Sequence, residues 1–200
     1  MATASTDRML IESAMPRFNT VIAEHVVVAA DTATTLRAAR TLDLLTVRTP
    51  LLALSMWIRE MPARLAGAAP PPLPRLVIAD GTGLPGWLLL GERTGREIAF
   101  GAVGRFWQPV IEWRDVPLAD FASFAEPGWG KIAANFSVLP YGQSSTLLSY
   151  ECRTITTDLE SRRQFLRYWW LIRPFVRHIM RATLKKIRAD AEAAAELRRQ

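Results

Sequence analysis

Apolar and polar positions alternate most clearly in two segments of the C-terminal half. In WGKIAANFSVL, Ile132, Ala134, Phe136 and Val138 share one face while Lys131, Asn135 and Ser137 share the other, as in a half-buried strand. STLLSYECRTITT repeats the pattern, with Leu148, Tyr150, Cys152 and Thr154 opposed to Ser149, Glu151 and Arg153. YGQS between them is a hairpin turn, so the pair is antiparallel and each strand keeps one wet face. Upstream, LVIAD, GWLLLGE, REIAFGAVGRFW and VIEWRD read as further strands, the second and third joined by the tight connection RTG. The β-branched run TVIAEHVVVAA supplies the first strand.

Two helical patterns flank these strands. Asp31 or Thr32 caps a short helix running to Leu42, and DLLTVRTPLLALSMWIREM adds a second stretch broken at Pro50. Three successive prolines in GAAPPPLPR fix φ and remove donors, which makes residues 67–75 a loop. Asp158 caps a long helix reaching about residue 188, with Glu160 in its first turn, where the helix dipole favours a carboxylate. At about 100° per residue, Phe165, Trp169, Ile172, Val176, Ile179, Met180 and Ile187 form one stripe and Arg163, Arg167, Arg181 and Lys185 lie opposite. Pro174 falls on the polar side, where water replaces its missing hydrogen bond and a bend curves the apolar face around its partner.

Composition narrows the class. Of the 200 residues, half are apolar and 22% are charged, the profile of one folded globular domain. Cys152 is the only cysteine, which excludes an intramolecular disulfide and a thiolate metal cluster and fits a reducing, cytoplasmic setting. The opening residues carry Asp7 and Glu12 and no signal-like apolar run, so residues 1–19 are expected as a flexible tail, 20–190 as the domain and 191–200 as a helical extension. The longest uncharged apolar run, PLLALSMWI, is half of the roughly 18 residues that span a bilayer, leaving at most a peripheral contact with the inner membrane face. Net charge is +6, yet residues 161–188 hold nine basic and no acidic side chains, and the remainder carries 16 basic against 19 acidic. The basicity therefore belongs to one helix.

No motif commits the chain to a reaction. His25 and His178 lack cysteine or carboxylate at ligand spacing, so no metal site is expected. Glu24 and His25 are neighbours on a strand and point to opposite faces, which removes them as an acid–base pair. GTGLPG and GAVG do not open a helix after a parallel strand and are not followed by Lys-Ser or Lys-Thr, so neither is a phosphate loop. Cys152, on an apolar strand face, reads as a buried inert thiol. Neither a catalytic residue nor a cofactor is expected.

The element order, carried by AEHVVVAADTATTLRAARTLDL, GREIAFGAVGRFW, FAEPGWGKIAANF and TDLESRRQFLRYWWLIRP, resembles the START-like (SRPBCC) superfamily of lipid-transfer and polyketide-cyclase-related proteins, and within it an uncharacterised bacterial branch. The resemblance spans about residues 23–188 and departs from the branch at the proline-rich insertion. It implies an α+β helix-grip fold: a curved antiparallel sheet of six to seven strands around the long C-terminal helix, with two short helices after the first strand. It further implies a cavity lined by Phe100, Phe106, Phe136, Tyr150, Trp169 and Ile172, with Tyr150 as the polar tip that orients a ligand. The opposing reading is that these side chains simply fill a solid core. On this scaffold the expected function is binding or carriage of a small hydrophobic ligand, lipid-like or aromatic. The alternative is a cyclase or dehydratase using the same cavity, weakened by a shortage of inward acids and bases. Nucleic-acid binding through the basic helix is disfavoured because the aromatics face the core. Trp170 instead falls about 140° from Phe165, among Arg163, Arg177 and Arg181, a combination that suits docking on an anionic membrane. The plain alternative is a solvated face with Trp170 covered by a loop.

Overall fold

In the computed structural model, residues 8–42 and 86–199 are described. The expected second helical stretch, the proline-rich loop and the LVIAD strand lie outside them. The chain runs α1 (Leu10–Ala14), β1 (Thr20–Val28), α2 (Thr32–Thr41), β2 (Trp87–Arg93), β3 (Glu97–Gly104), β4 (Trp113–Arg114), α3 (Leu118–Phe121), β5 (Gly130–Tyr141), β6 (Ser145–Thr156) and α4 (Leu159–Leu197). This is an α+β arrangement. The described residues form a six-stranded sheet in the order β1-β6-β5-β3-β2, with β4 also on β3, and every pairing is antiparallel. The two tight hairpins turn on Gly95 and Gly142, whose φ of 71° and 65° only glycine adopts without strain.

VIEWRD contributes just the two residues of β4 rather than a full strand. β2 pairs with β3 as far as Ala102, and β4 takes over the same lane at Val103 and Gly104, where β3 ends. No further ladder remains for it.

Both faces of the central strands β3 and β5 are covered, whereas the outer face of the edge strand β1, with Val21, Ala23, His25 and Val27, is exposed. On one face of the sheet, Val28, Ile98, Phe100, Phe136 and Leu148 meet Leu36, Ala39 and Leu42 around α2, together with Leu184, Ile187 and Ala191 of α4. On the other, Ile11 and Met15 pack with Val103, Phe121, Trp129 and Ala133. The supposedly wet face of β5 is therefore dry: Lys131 and Asn135 are buried beneath α1 and α3. Lys131 Nζ donates to the Phe121 and Ala122 carbonyls at 3.0 Å each, satisfying orphan acceptors at the end of α3, and burial lowers its pKa. Asn135 Nδ2 donates to Glu97 Oε2 (3.1 Å), and Glu97 Oε1 accepts from the Leu10 amide (2.7 Å). A carboxylate with 0% exposure thus sits at the start of α1.

This second layer corrects the expectation of a loose tail. Residues 8–19 are strapped down by Ile11 and Met15, by Arg153 donating to the Met15 carbonyl (3.0 Å), and by Asn19 Oδ1 accepting from Thr156 N and Oγ1. Residues 1–7 lie outside the described residues.

At the other terminus α4 continues unbroken past residue 188, because the alanine-rich segment both favours helix and packs. Ala191 is in the core, Glu192 Oε1 accepts from the Ala29 amide (3.0 Å), and Arg198 Nη1 donates to Thr34 Oγ1 (2.9 Å). Pro174 lies inside the helix on its exposed side. No helix among the described residues is long and apolar enough to cross a membrane.

Asp158 joins the start of α4 to the loop before β5. Its Oδ1 accepts from Ser161 N (2.8 Å) and its Oδ2 from Ser161 Oγ (2.7 Å) and Gly128 N (2.6 Å). These bonds favour the ionised form and hold the pKa at about 2, below the ordinary 3.8. A lowered folded-state pKa contributes stability that is complete above the unfolded value and disappears as pH falls from 3.8 through 2. Asp158→Ala is expected to cost about 1–2 kcal/mol in urea unfolding at neutral pH. The same variant should show a shallower loss of stability between pH 4 and 2 than the parent.

Candidate functional site

Strand parity sends Ile98, Phe100 and Ala102 of β3, Ala134 and Phe136 of β5, and Leu148, Tyr150 and Cys152 of β6 toward the α4 side. Phe136 stands directly opposite Tyr150, their ring centroids 4.3 Å apart, and Phe100 contacts both at 5.9 and 6.4 Å. From Phe100 the contacts pass to Trp87 of β2 (5.9 Å), to Trp113 of β4 (6.0 Å) and to Phe106 (5.8 Å). They continue through Trp107 (6.5 Å) to Phe165 (6.4 Å) and Trp169 (5.6 Å) on the first turns of α4. Nine aromatic side chains thus form one connected arc from β6 across the sheet and up to the helix.

Two facing glycines make room for the turn of this arc. Gly104 and Gly130 are register partners, and a Cβ on either would come within 3.0 Å of the Phe106 ring. The ring lies on bare backbone.

Of the six candidate lining residues, Phe100, Phe106, Phe136, Tyr150 and Trp169 belong to the arc, and Ile172 is half-buried one turn beyond Trp169. Phe100, Phe106, Phe136 and Phe165 are buried, whereas Trp87, Tyr150, Trp169 and Ile172 keep partial exposure. Sequence reasoning missed Trp87, Trp107 and Trp113. The parity of GWLLLGE against REIAFG carries a signal for Trp87. The other two lie at or beyond strand ends, where period-two patterning is silent.

The arc's titratable groups are neutral. Burial raises the Tyr150 phenol above its ordinary value, with the Cys152 thiol adding to the effect, and burial first and Glu151 second push Cys152 up to about 12. Tyr150 is therefore a hydrogen-bonding group, and Cys152 is not a thiolate nucleophile. The indole N–H of Trp87 is buried without a hydrogen-bond partner, as is the Thr183 hydroxyl.

On the outer surface, Arg181 Nε donates to Glu24 Oε2 of β1 (2.8 Å) and Arg177 is ion-paired with Glu24 Oε1 (2.8 Å), so one strand carboxylate occupies two of the four candidate docking residues. They border an open hollow of about 530 Å³ with Arg173, Pro174 and His178. Arg163 is exposed and 3.8 Å from Glu160. Trp170 is 82% exposed, and no loop among the described residues covers it.

No family model matches the chain, and none of the curated proteins is significantly similar to it. Among solved structures, it is similar to protein CV1439 from Chromobacterium violaceum, with 16% identity, a TM-score of 0.36, and coverage of 89% of this chain and 99% of that one. It is also similar to TTHA0849 from Thermus thermophilus, with 12% identity, a TM-score of 0.31, and coverage of 88% and 99%. Likenesses this distant carry no argument about the site.

Truncating the centre of the arc should be far costlier than truncating its rim. Phe136→Ala is expected to destabilise by about 3–5 kcal/mol and Trp169→Ala, at a partly exposed position, by less than half of that, as read from denaturant midpoints at constant m.

Proposed function

We propose that the protein binds or carries a small hydrophobic ligand, lipid-like or aromatic, between the sheet and α4, in the helix-grip manner of the START-like superfamily that its sequence resembles. The observation that carries this reading is the aromatic arc. Its rim of Trp87, Tyr150, Trp169 and Ile172 is half-buried, whereas the C-terminal part of α4 seals the sheet completely through Leu184, Ile187 and Ala191. Aromatic faces supply apolar contact to a ring or an acyl chain, and a phenol kept neutral orients a carbonyl or hydroxyl.

A cyclase or dehydratase on the same frame needs an acid or base that exchanges protons near neutral pH. In this region Tyr150 and Cys152 are both held protonated by burial, and the Glu24 carboxylate is engaged by two arginines. Binding uses what is present.

The test uses a neutral apolar fluorophore, N-phenylnaphthylamine. The native protein should bind it with a Kd on the order of micromolar. Ala134 is buried between its register partners Phe100 and Cys152, so Ala134→Phe fills the space and should weaken binding at least about tenfold, as should Trp169→Ala. Leu139→Phe, at the exposed end of β5, should leave it unchanged. No binding to the native protein, or equal binding by all variants with cooperative unfolding retained, would identify the arc as solid core.

A further inference from the structure

We propose that the exposed face of the first half of α4 docks the protein on an anionic lipid bilayer, a role that stands independently of the ligand reading. Leu159, Leu166 and Trp170 are 72%, 39% and 82% exposed. At about 100° per residue they fall within an arc of about 40° and extend over about 16 Å of helix. Arg162 and Arg173 flank this stripe on one side and Arg167 on the other, and none of the three has an ion-pair partner among the described residues.

The distribution of charge selects the occupant. Residues 161–188 contain no carboxylate, and Glu24 of β1 ion-pairs with both Arg177 and Arg181 further along the helix, leaving that trio at a net charge of +1. Unpaired positive charge is thus concentrated around the exposed indole. Guanidinium groups reaching lipid phosphates, with a tryptophan at headgroup level and two leucines beside it, match an interfacial helix lying in the membrane plane. A second copy of the chain fits poorly, because apposing two such faces brings unpaired arginines together.

Co-sedimentation of the full chain with phosphatidylcholine vesicles, with and without about a third phosphatidylglycerol, tests the proposal. The protein should pellet with the anionic vesicles only, and the binding should fade as salt is raised. Arg162→Glu and Arg173→Glu should each weaken it about fivefold or more, and Leu166→Ala with Trp170→Ala should weaken it further, all with unchanged unfolding curves because these side chains are exposed. Lys185→Glu makes the same charge change on the other half of the helix and should weaken it less. Equal binding to neutral vesicles, binding to neither, or equal loss from Lys185→Glu and Arg173→Glu would each overturn the proposal. So would self-association that Trp170→Ala abolishes, since it would assign the face to a second copy.

Discussion

The register of β5 against β3 and β6 is the constraint from which everything else follows. Because side chains alternate strictly along a strand, a slip of one residue would carry Phe136 to the α1 side and drop Asn135 or Ser137 among the aromatic rings. The observed register does the opposite: Phe136 meets Tyr150 and Phe100, while Lys131 and Asn135 find the α3 carbonyls and Glu97. Over residues 131–138 of β5 both faces are buried or half-buried, so each side chain there has one acceptable destination. An error in either direction would bury an unpaired polar group, at a cost of about 1–3 kcal/mol.

That double burial also explains which parts were legible in the sequence. The α4 side could be read because its signals are local: alternation in β5 and β6, a cap at Asp158, a stripe from Phe165 to Ile187. The opposite side could not, since its polar residues look solvent-facing until partners remote in sequence are known. Lys131 is held by backbone carbonyls near residue 121, and the Asn135 amide group donates to a carboxylate that in turn holds the amide of Leu10, although Asn135 Oδ1 itself stays buried without a partner among the described residues. Nothing in MLIESAM announces a helix of five residues; its stability comes from the seat under Ile11 and Met15. The aromatic residues of the candidate site divide less cleanly: Phe100, Phe136, Tyr150 and Trp169 were identified on alternating strands and the helical stripe, whereas Trp87 at the start of β2, Trp113 in the two-residue β4 and Trp107 in irregular chain were not.

Charge on α4 is sorted by the sheet edge. The helical wheel places Arg177 and Arg181 with Arg163 and Trp170, yet only the fold shows that Glu24, sidelined as an acid–base partner for His25, reaches across to occupy both. Its role is to hold β1 to the helix, and the positive field is shifted one to two turns toward the N-terminus as a result.

Pro174 gives this helix a seam. Lacking an amide hydrogen, it leaves the carbonyl of Trp170 without its partner four residues on, at the place where the packing changes character. Behind the seam, Leu184, Ile187 and Ala191 are locked between sheet and α2; ahead of it, the contacts are the rings of Phe165, Trp169 and Trp107 and the cap at Asp158. The helix therefore comprises two units that are held differently, and the amide hydrogens of the part ahead of the seam are expected to exchange sooner than those of the stem packed between sheet and α2.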